Sequence, residues 1–248
     1  VGTGWGTAGL IETDNAGYAY TPDVGIDANG NAVAAWFQND GTRENIWSNR
    51  YVVGTGWGTA VLLESDNAGA ALSPQVAVDK MGNAVAVWSQ NDGTRNNIWS
   101  NRYVVGTGWG TPALIETDNV GGAYAPQVAV DEMGDAVALW YQSDGSRQNI
   151  WANRFIVGVG WGTPALLETD NAGSALDPQV AVDGGGNALG VWRQSDGIRD
   201  NIGANRLVED YPPALSLVSP VNGLSTNQSS VWVGGVTEPG ATAAVNGI

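Results

Sequence analysis

A 52-residue repeat fills most of this chain and limits what it can fold into. The motif GWGT occurs four times at a constant spacing, with its tryptophans at Trp5, Trp57, Trp109 and Trp161. The first 208 residues therefore divide into four units without insertions, 1–52, 53–104, 105–156 and 157–208. Because each unit of a repeat protein buries its apolar surface against its neighbours, the fold of one unit predicts the fold of all four.

Each unit contains four segments with strand character, and the second unit shows them clearly. They are WGTAVLLE (57–64), SPQVAVD (73–79), NAVAVWSQ (83–90) and NIWSNRYV (97–104). Clusters of Gly, Asn and Asp separate these segments, as is typical of turns between short strands. Gly82 in the sequence DKMG supplies the positive φ of a tight hairpin. No segment has helical periodicity, so we predict an all-β fold.

Four strands in each of four units, with a period near 50 residues, are typical of β-propeller blades. A parallel β-helix is the alternative, although its coils are usually shorter. We expect Trp88 and Trp99 to pack between neighbouring blades, because one Trp buries roughly 150–250 Å². A mid-strand Arg should pair with a carboxylate, such as the Glu that ends the LIE segment; these arginines are Arg50, Arg102, Arg154 and Arg206.

The first unit begins with the segment that later units supply as an outer strand to the blade before them. The fourth unit ends at NIGANRLV (201–208) and is not followed by another GWGT motif. We therefore predict that residues 5–12 pair antiparallel with residues 201–208. This pairing would produce a four-bladed β-propeller closed by the N-terminal strand, without unpaired sheet edges.

The pattern PQVAVDxxGNAVAVW…NIWxNRY…GWGTAxLIE in residues 1–208 resembles the repeats of bacterial secreted and cell-surface β-propeller proteins. The resemblance implies the architecture and a secreted or cell-surface location. After a linker at 209–213, residues 214–248 resemble the first strands of a bacterial immunoglobulin-like domain, a partial β-sandwich. This segment is either truncated or completed by a strand from a neighbouring molecule, which would produce self-association.

The charge and the residue types of the chain disfavour several functions. The chain has 25 acidic and 10 basic residues, a net charge of −15, and neither His nor Cys. Without clustered cations, nucleic-acid binding is disfavoured. The absence of His removes the commonest general base and the commonest zinc ligand. No apolar run is long enough for membrane insertion. Calcium is the only cofactor that we consider.

Two sets of recurring residues are candidates for contacts with a glycan. The first set lies in the turn between the segments equivalent to NAVAVWSQ and NIWSNRYV in each unit and would either contact sugar hydroxyls or stabilise the turn: Asp40, Asp92, Asp144 and Asp196, with Arg43, Arg95, Arg147 and Arg199. The second set would either stack on sugar rings or pack between blades: Trp47, Trp99 and Trp151. The fourth unit has Gly203 at this position, which predicts a hole at the contact (seam) between blade 4 and its neighbouring blade unless another group fills it.

A third set is a candidate for binding calcium, since Ca²⁺ prefers oxygen ligands from carboxylates and carbonyls. The alternative is that these residues form Asx turns at the strand ends. The set comprises Asp14, Asp66, Asp118 and Asp170, each preceded two residues earlier by a glutamate, namely Glu12, Glu64, Glu116 and Glu168.

The carboxylates recur identically in every unit, whereas a single active site normally breaks the symmetry of its scaffold. We therefore predict that the chain is not an enzyme. The favoured function is a non-catalytic extracellular structural or adhesion module, in one version a surface-fibre subunit assembled through its immunoglobulin-like segment. One alternative is a multivalent carbohydrate-binding lectin. Another is an accessory domain of a larger secreted enzyme.

Overall fold

The computed structural model describes residues 4–12, 16–65, 68–117, 120–169 and 172–208, together with two short strands near the C-terminus. These residues form strands and turns, and the predicted all-β class is confirmed. Within them, no helix is long and apolar enough to cross a membrane. The chain separates into two compact units, Val1–Val208 and Glu209–Ile248.

The first compact unit consists of four antiparallel sheets, which are the blades of the propeller. Blade 1 contains β1 (Ala19–Ile26), β2 (Ala32–Asn39), β3 (Glu44–Val52), β4 (Gly56–Trp57) and β5 (Val61–Leu62). Blade 2 contains β6 (Ala71–Val78), β7 (Ala84–Asn91), β8 (Asn96–Val104), β9 (Gly108–Trp109) and β10 (Ala113–Leu114). Blade 3 contains β11 (Ala123–Val130), β12 (Ala136–Ser143), β13 (Gln148–Ile156), β14 (Gly160–Trp161) and β15 (Ala165–Leu166). Blade 4 contains β16 (Ala175–Val182), β17 (Ala188–Ser195) and β18 (Asp200–Leu207).

The hairpin between the first two strands of a blade forms as the sequence predicts. In blade 2, Gly82 has a φ of 86° and donates its N–H to the carbonyl of Asp79 at 3.0 Å. The Asp79 carboxylate accepts hydrogen bonds from the backbone N–H groups of Met81 and Asn83, at 2.8 and 2.9 Å. The side chain of Asn83 donates to the second oxygen of Asp79 at 2.7 Å. The aspartate therefore satisfies the backbone groups that this turn leaves unpaired.

The outer strand of each of the first three blades comes from the start of the next repeat, as predicted. In blade 1, β4 pairs antiparallel with Tyr51 and Val52, and β5 pairs with Trp47 and Ser48. Between the two short strands, the N–H of Gly58 donates to the carbonyl of Arg50 at 2.9 Å. In blade 4, the described sheet has three strands.

Apolar side chains between neighbouring blades form the core. At the seam between blades 1 and 2, Ile46 of blade 1 meets Ala71 and Trp88 of blade 2, and all three are fully buried. Trp99 packs against this cluster, so the prediction that both tryptophans lie between blades is confirmed. At about 25 cal/mol per Å², an indole of this size contributes up to about 4–6 kcal/mol of burial free energy.

The segment after each outer strand ties two blades together through its backbone. The N–H of Leu63 donates to the carbonyl of Ile46 in blade 1 at 2.8 Å. The carbonyl of Leu63 accepts a hydrogen bond from the side chain of Asn101 in blade 2 at 3.0 Å. Leu63 itself is buried in the seam, so one residue links two sheets by both packing and hydrogen bonding.

The predicted closure of the ring by residues 5–12 is wrong. Among the described residues, β18 pairs only with β17, and the side chain of Ile202 is 79 % exposed. The carbonyl of Ile11 instead accepts a hydrogen bond from the side chain of Asn49 at 2.7 Å, and Ile11 packs on blade 1. Asn49 thus holds the N-terminal segment on blade 1 as Asn101 holds Leu63 on blade 2. Blade 4 does not contact this segment through Ile202, which is exposed.

One mid-strand arginine, Arg154, pairs with a carboxylate as predicted, and this carboxylate belongs to an aspartate. The guanidinium of Arg154 lies 3.3 Å from Asp135, and that of Arg50 lies over the ring of Tyr103 in blade 2, at 5.5 Å from its centroid. The direction of the strands separates Arg50 from the predicted glutamate. Arg50 is near the end of β3. Glu64 follows Leu63, whose N–H binds the carbonyl of Ile46 near the start of β3, so Arg50 and Glu64 lie at opposite ends of this strand.

In the second compact unit, β19 (Ser216–Ser219) pairs antiparallel with β20 (Gly234–Val236). The linker at 209–213 and most of residues 214–248 lie outside the described residues. The immunoglobulin-like resemblance and self-association through this segment therefore stay predictions.

Candidate functional site

The loop aspartates predicted to contact a glycan accept hydrogen bonds from residues of their own loops. One oxygen of Asp40 accepts hydrogen bonds from the hydroxyl of Thr42 at 2.5 Å, the N–H of Thr42 at 2.8 Å and the N–H of Arg43 at 3.1 Å. The other oxygen accepts from the side chain of Asn45 at 2.9 Å. These bonds, the Thr42 hydroxyl first, hold the pKa of Asp40 well below its usual range. The loops of Asp92, Asp144 and Asp196 repeat most of this arrangement.

The loop arginines lie beside these aspartates. The Nε of Arg43 donates to the side chain of Asn45 at 3.1 Å, and Arg147 lies 3.7 Å from the carboxylate of Asp144. The side chain of Arg95 is 30 % exposed. The structure therefore places the Asp and Arg of each unit together as a turn, the second of the two predicted roles, and contact of the arginines with a glycan stays a prediction.

The tryptophans predicted to contact a glycan, which we call the Trp row, lie at the seams between blades; they are Trp47, Trp99 and Trp151. Trp99 stands opposite Trp88 across the β7–β8 pair, and Trp151 stands opposite Trp140 across β12–β13. Trp99 and Trp151 are half-buried and pack against the cores of their seams. Trp47 packs in the same way on blade 1. Packing is thus the role that the structure shows for these three, and stacking on a sugar ring stays a prediction.

The fourth member of the row is Gly203, and the predicted hole is present beside it. A cavity of about 350 Å³ opens at the outer part of blade 4, next to the segment that follows the blade 3 outer strand. Gly203 stands opposite Trp192, and a Cβ at this glycine would lie 2.8 Å from the indole nitrogen. The lining residues are Glu168, Thr169, Trp192, Gln194, Asn201, Ile202, Gly203 and Ala204.

Polar groups of fixed orientation surround this cavity. The indole N–H of Trp192 donates to the side-chain carbonyl of Gln194 at 3.0 Å, and the amide of Gln194 donates to the carbonyl of Gly173 at 3.2 Å. The side chain of Asn201 donates to Asp196 at 2.9 Å. Glu168 is buried in the wall. An indole, two amides and a carboxyl group therefore line one small volume.

Blade 3 shows how the same positions look when the Trp row is intact. Trp140 donates to Gln142 at 2.9 Å, and Gln142 donates to the carboxylate of Glu116 at 3.1 Å. All three side chains are almost completely buried. Trp151 stands next to Trp140 at that seam. In unit four, Gly203 replaces this Trp, and a cavity lies beside the same three positions, Trp192, Gln194 and Glu168, which are 6, 6 and 2 % exposed.

A second cavity, of about 370 Å³, lies where the inner hairpins of all four blades meet. Its carboxylates are engaged in their own turns, as Asp27 is with the N–H groups of Asn29 and Asn31, both at 2.8 Å. Lys80 of blade 2 forms an ion pair of 2.6 Å with Glu132 of blade 3 at its rim. These groups hold the hairpins and connect adjacent blades.

The residues predicted to bind calcium lie outside the described residues, and calcium binding by them stays a prediction. They are Asp14, Asp66, Asp118 and Asp170. Within the part of the chain that the structure describes, no group of three or more His, Cys, Asp or Glu side chains is placed to hold a metal ion.

Comparison with known proteins shows the fold and no family. No family model matches the sequence. No curated protein matches it. A protein of unknown function from Dyadobacter fermentans has a similar structure, with a TM-score of 0.57, 16 % identity, and 81 % of this chain and 68 % of that chain covered.

Two carbohydrate-active proteins have similar structures as well. An ulvan lyase of polysaccharide lyase family PL25 has a TM-score of 0.51 and 10 % identity over 81 % of this chain and 57 % of its own. An α-L-arabinofuranosidase from Fusarium graminearum has a TM-score of 0.50 and 10 % identity over 80 % of this chain and 70 % of its own. The chain thus spans little more than half the length of the ulvan lyase. These likenesses support the β-propeller architecture.

The comparisons contradict the prediction of a non-catalytic structural or adhesion module that is not an enzyme. The propeller-like folds that resemble this chain include a polysaccharide lyase and a glycosidase, and the accessory-domain alternative agrees better with them. The symmetry argument failed because it considered only the residues that recur. Gly203 in place of Trp is a difference between one seam and the others, and its consequence depends on what lies behind the missing side chain.

Proposed function

We propose that this chain is the glycan-binding propeller of a larger, secreted glycan-processing protein, and that one sugar ring binds in the cavity at Gly203. The observation that carries the proposal is the loss of one Trp from the row. This loss leaves a cavity that is lined by the indole of Trp192 and by the amides of Gln194 and Asn201.

The lining of the cavity matches the chemistry of a sugar. The C–H face of a pyranose or furanose ring packs on an aromatic ring, while its hydroxyl groups need hydrogen-bond donors and acceptors at its edge. Ligand cavities range from about 300 to 1,000 Å³. A volume of about 350 Å³ is at the lower limit and suits a single ring or a chain end.

The charge of the chain favours a neutral sugar. A net charge of −15 repels sulfates and uronic acids. The ulvan lyase has been solved with the anionic segment -[GlcA(1-4)Rha3S]-, and the arabinofuranosidase with an iminosugar inhibitor. Of the two polymer types, we propose a neutral, arabinan-like glycan for this chain.

Isothermal titration with arabinan oligosaccharides and with ulvan oligosaccharides tests the proposal. We expect measurable binding of the neutral series and much weaker binding of the anionic series. Gly203→Trp restores the row and should abolish binding; blades 1–3 hold a Trp pair in this strand register, so the backbone accommodates it after a small shift of Trp192.

A second pair of variants keeps the test valid if Gly203→Trp fails to fold. Thr169→Trp places a large side chain at the mouth of the cavity, whereas Thr117→Trp places it at the equivalent position of a seam where Trp151 is present. Only the first should lose binding. Equal affinity of the native chain, Thr169→Trp and Thr117→Trp would refute the cavity as the site.

Glycan cleavage at this cavity is the second candidate function, and the buried Glu168 favours it, because carboxyl groups serve as acids and bases in glycan-cleaving enzymes. Release of reducing ends from arabinan by the native chain, and its loss in Glu168→Gln with unchanged binding, would establish cleavage. Binding without release would limit the chain to recognition.

A further inference from the structure

We propose that two copies of this chain associate head to tail, with the exposed face of blade 4 in one copy docked on the exposed face of blade 1 in the other. This inference is independent of the proposed glycan site. It follows from a comparison of the three seams within the chain with the two blade faces that have no neighbouring blade.

The three internal seams share the same three core positions. Each contains an Ile from the third strand of one blade, and an Ala and a Trp from the next blade, with the Ile and the Ala fully buried. The sets are Ile46 with Ala71 and Trp88, Ile98 with Ala123 and Trp140, and Ile150 with Ala175 and Trp192. The seam is therefore one interface used three times.

Parts of the two halves of a fourth such interface are exposed at opposite ends of the blade array, whereas Trp36, the blade 1 equivalent of Trp88, is 3 % exposed in a cluster against which Ile11 packs. Ile202 of blade 4 occupies the position of Ile46 and is 79 % exposed. Ala19 of blade 1 occupies the position of Ala71 and is also exposed. Val24 is 61 % exposed, whereas its equivalent Val76 is 6 % exposed. Each half is apolar in the way that its buried counterparts are.

The backbone connection of the seam is also half formed. We call the residue that follows each outer strand and lies in the seam, such as Leu63, the strap residue. In the internal seams, its N–H donates to the carbonyl of the buried Ile, as Leu63 donates to Ile46 at 2.8 Å. The strap residue of blade 1 is Ile11, which Asn49 already holds through its carbonyl at 2.7 Å. The matching acceptor is the carbonyl of Ile202 at the edge of β18, so docking would add the hydrogen bond that this pair lacks.

A cation–π pair supplies a second complementary feature. Arg50 of blade 1 lies over Tyr103 of blade 2, and Arg102 of blade 2 lies over Phe155 of blade 3, at 5.5 and 5.4 Å. By the same repeat, Arg206 of blade 4 would lie over Tyr51 of a following blade 1. One chain therefore carries both halves of an interface, which is the requirement for a heterologous contact between identical subunits.

The occupant is a second copy because one chain carries both complementary halves of the seam, and among the described residues between 4 and 208 the two halves do not meet. Blade 4 leaves Ile202 exposed although Ala19 and Tyr51 belong to the same molecule. Large exposed apolar patches on a protein surface typically mark an interface. Two copies joined at both faces would form a ring of eight blades if the rotation closes.

A cysteine pair identifies the contact directly, since the chain has no native Cys. The full chain carrying Ala19→Cys and Ile202→Cys is oxidised mildly and run on a non-reducing gel, with sedimentation of the unmodified chain at micromolar concentration in parallel. We expect a disulfide-linked species of two chains and a mass twice 25.7 kDa. A disulfide within one chain, which would mean a closed four-bladed ring, or a monomer without cross-link would overturn the proposal.

A matched pair of variants controls for folding. Val24→Asp charges the proposed interface, whereas Val159→Asp makes the same change in an exposed turn of blade 3, where Val159 is 81 % exposed. We expect Val24→Asp to sediment as a monomer and Val159→Asp to remain associated. Glycan binding should be the same in both, so a failure of this proposal can be distinguished from a failure of the glycan site.

Discussion

Asp135 is the residue at which unit three departs from a hydrogen bond that the other units make, and its replacement by Asn should stabilise the fold. In units one, two and four, an Asn donates its side-chain N–H to the hairpin aspartate at 2.7–2.8 Å. In unit three, Asp135 cannot donate this bond, and the second oxygen of Asp131 is buried without a hydrogen-bond partner. The change Asp135→Asn supplies the missing donor.

The expected change in the free energy of unfolding follows from the hydrogen bond that is gained and the ion pair that is lost. A hydrogen bond to a buried charged group contributes about 1.5–3 kcal/mol. The bond from Val157 to Oδ1 of Asp135 is kept, because Asn83 accepts the equivalent bond from Val105. The ion pair of Asp135 with Arg154, with an N–O distance of 3.3 Å, is lost, which costs about 1 kcal/mol or less for a partly exposed pair. We expect a net gain of about 1–2 kcal/mol.

Urea unfolding monitored by tryptophan fluorescence measures this gain as a higher midpoint with an unchanged slope. The reciprocal change, Asn83→Asp in unit two, introduces the same defect and should lower the midpoint by a similar amount. If Asp135→Asn is neutral or destabilising while Asn83→Asp destabilises, the hydrogen-bond argument fails for unit three, and the Arg154 pair is the stronger interaction.

Two further predictions concern the connections between blades and the loops. Asn101→Ala removes the bonds to the carbonyls of Leu63 and Gly110, at 3.0 and 3.1 Å, and should cost about 1–3 kcal/mol in urea unfolding, whereas Asn29→Ala in an exposed turn should cost less than about 0.5 kcal/mol. For Asp92, hydrogen bonds from the Thr94 hydroxyl and the Asn97 amide are the main causes that lower its pKa in the folded state. Its contribution to stability is therefore present above the ordinary pKa of 3.8 and is lost as the pH falls further. The destabilisation by Asp92→Asn should accordingly be largest near neutral pH and shrink below pH 3.8; a constant difference across that range would contradict the assignment.

The repeat period, the strand segments and the hairpin at Gly82 could all be predicted from the sequence. These features depend on local chemistry: alternation of apolar residues, positive φ at glycine, and turn residues between strands. The burial of Trp88 and Trp99 between blades followed from the same pattern, because indoles of this size need a neighbouring sheet to cover them. The hole at Gly203 was also visible, since three of the four units have Trp at this position.

The tertiary structure alone decided what lies around that hole and whether the ring closes. The polar lining of the cavity combines Thr169 from one repeat boundary with Gln194 and Asn201 from two strands, and no sequence spacing brings such residues together. The side chain of Asn49 holds the N-terminal segment on blade 1 through the carbonyl of Ile11, and β18 has only β17 as its partner among the described strands. The sequence pattern determines that the three seams share their core positions, whereas the partner of each chain end depends on contacts between residues that are far apart in the sequence.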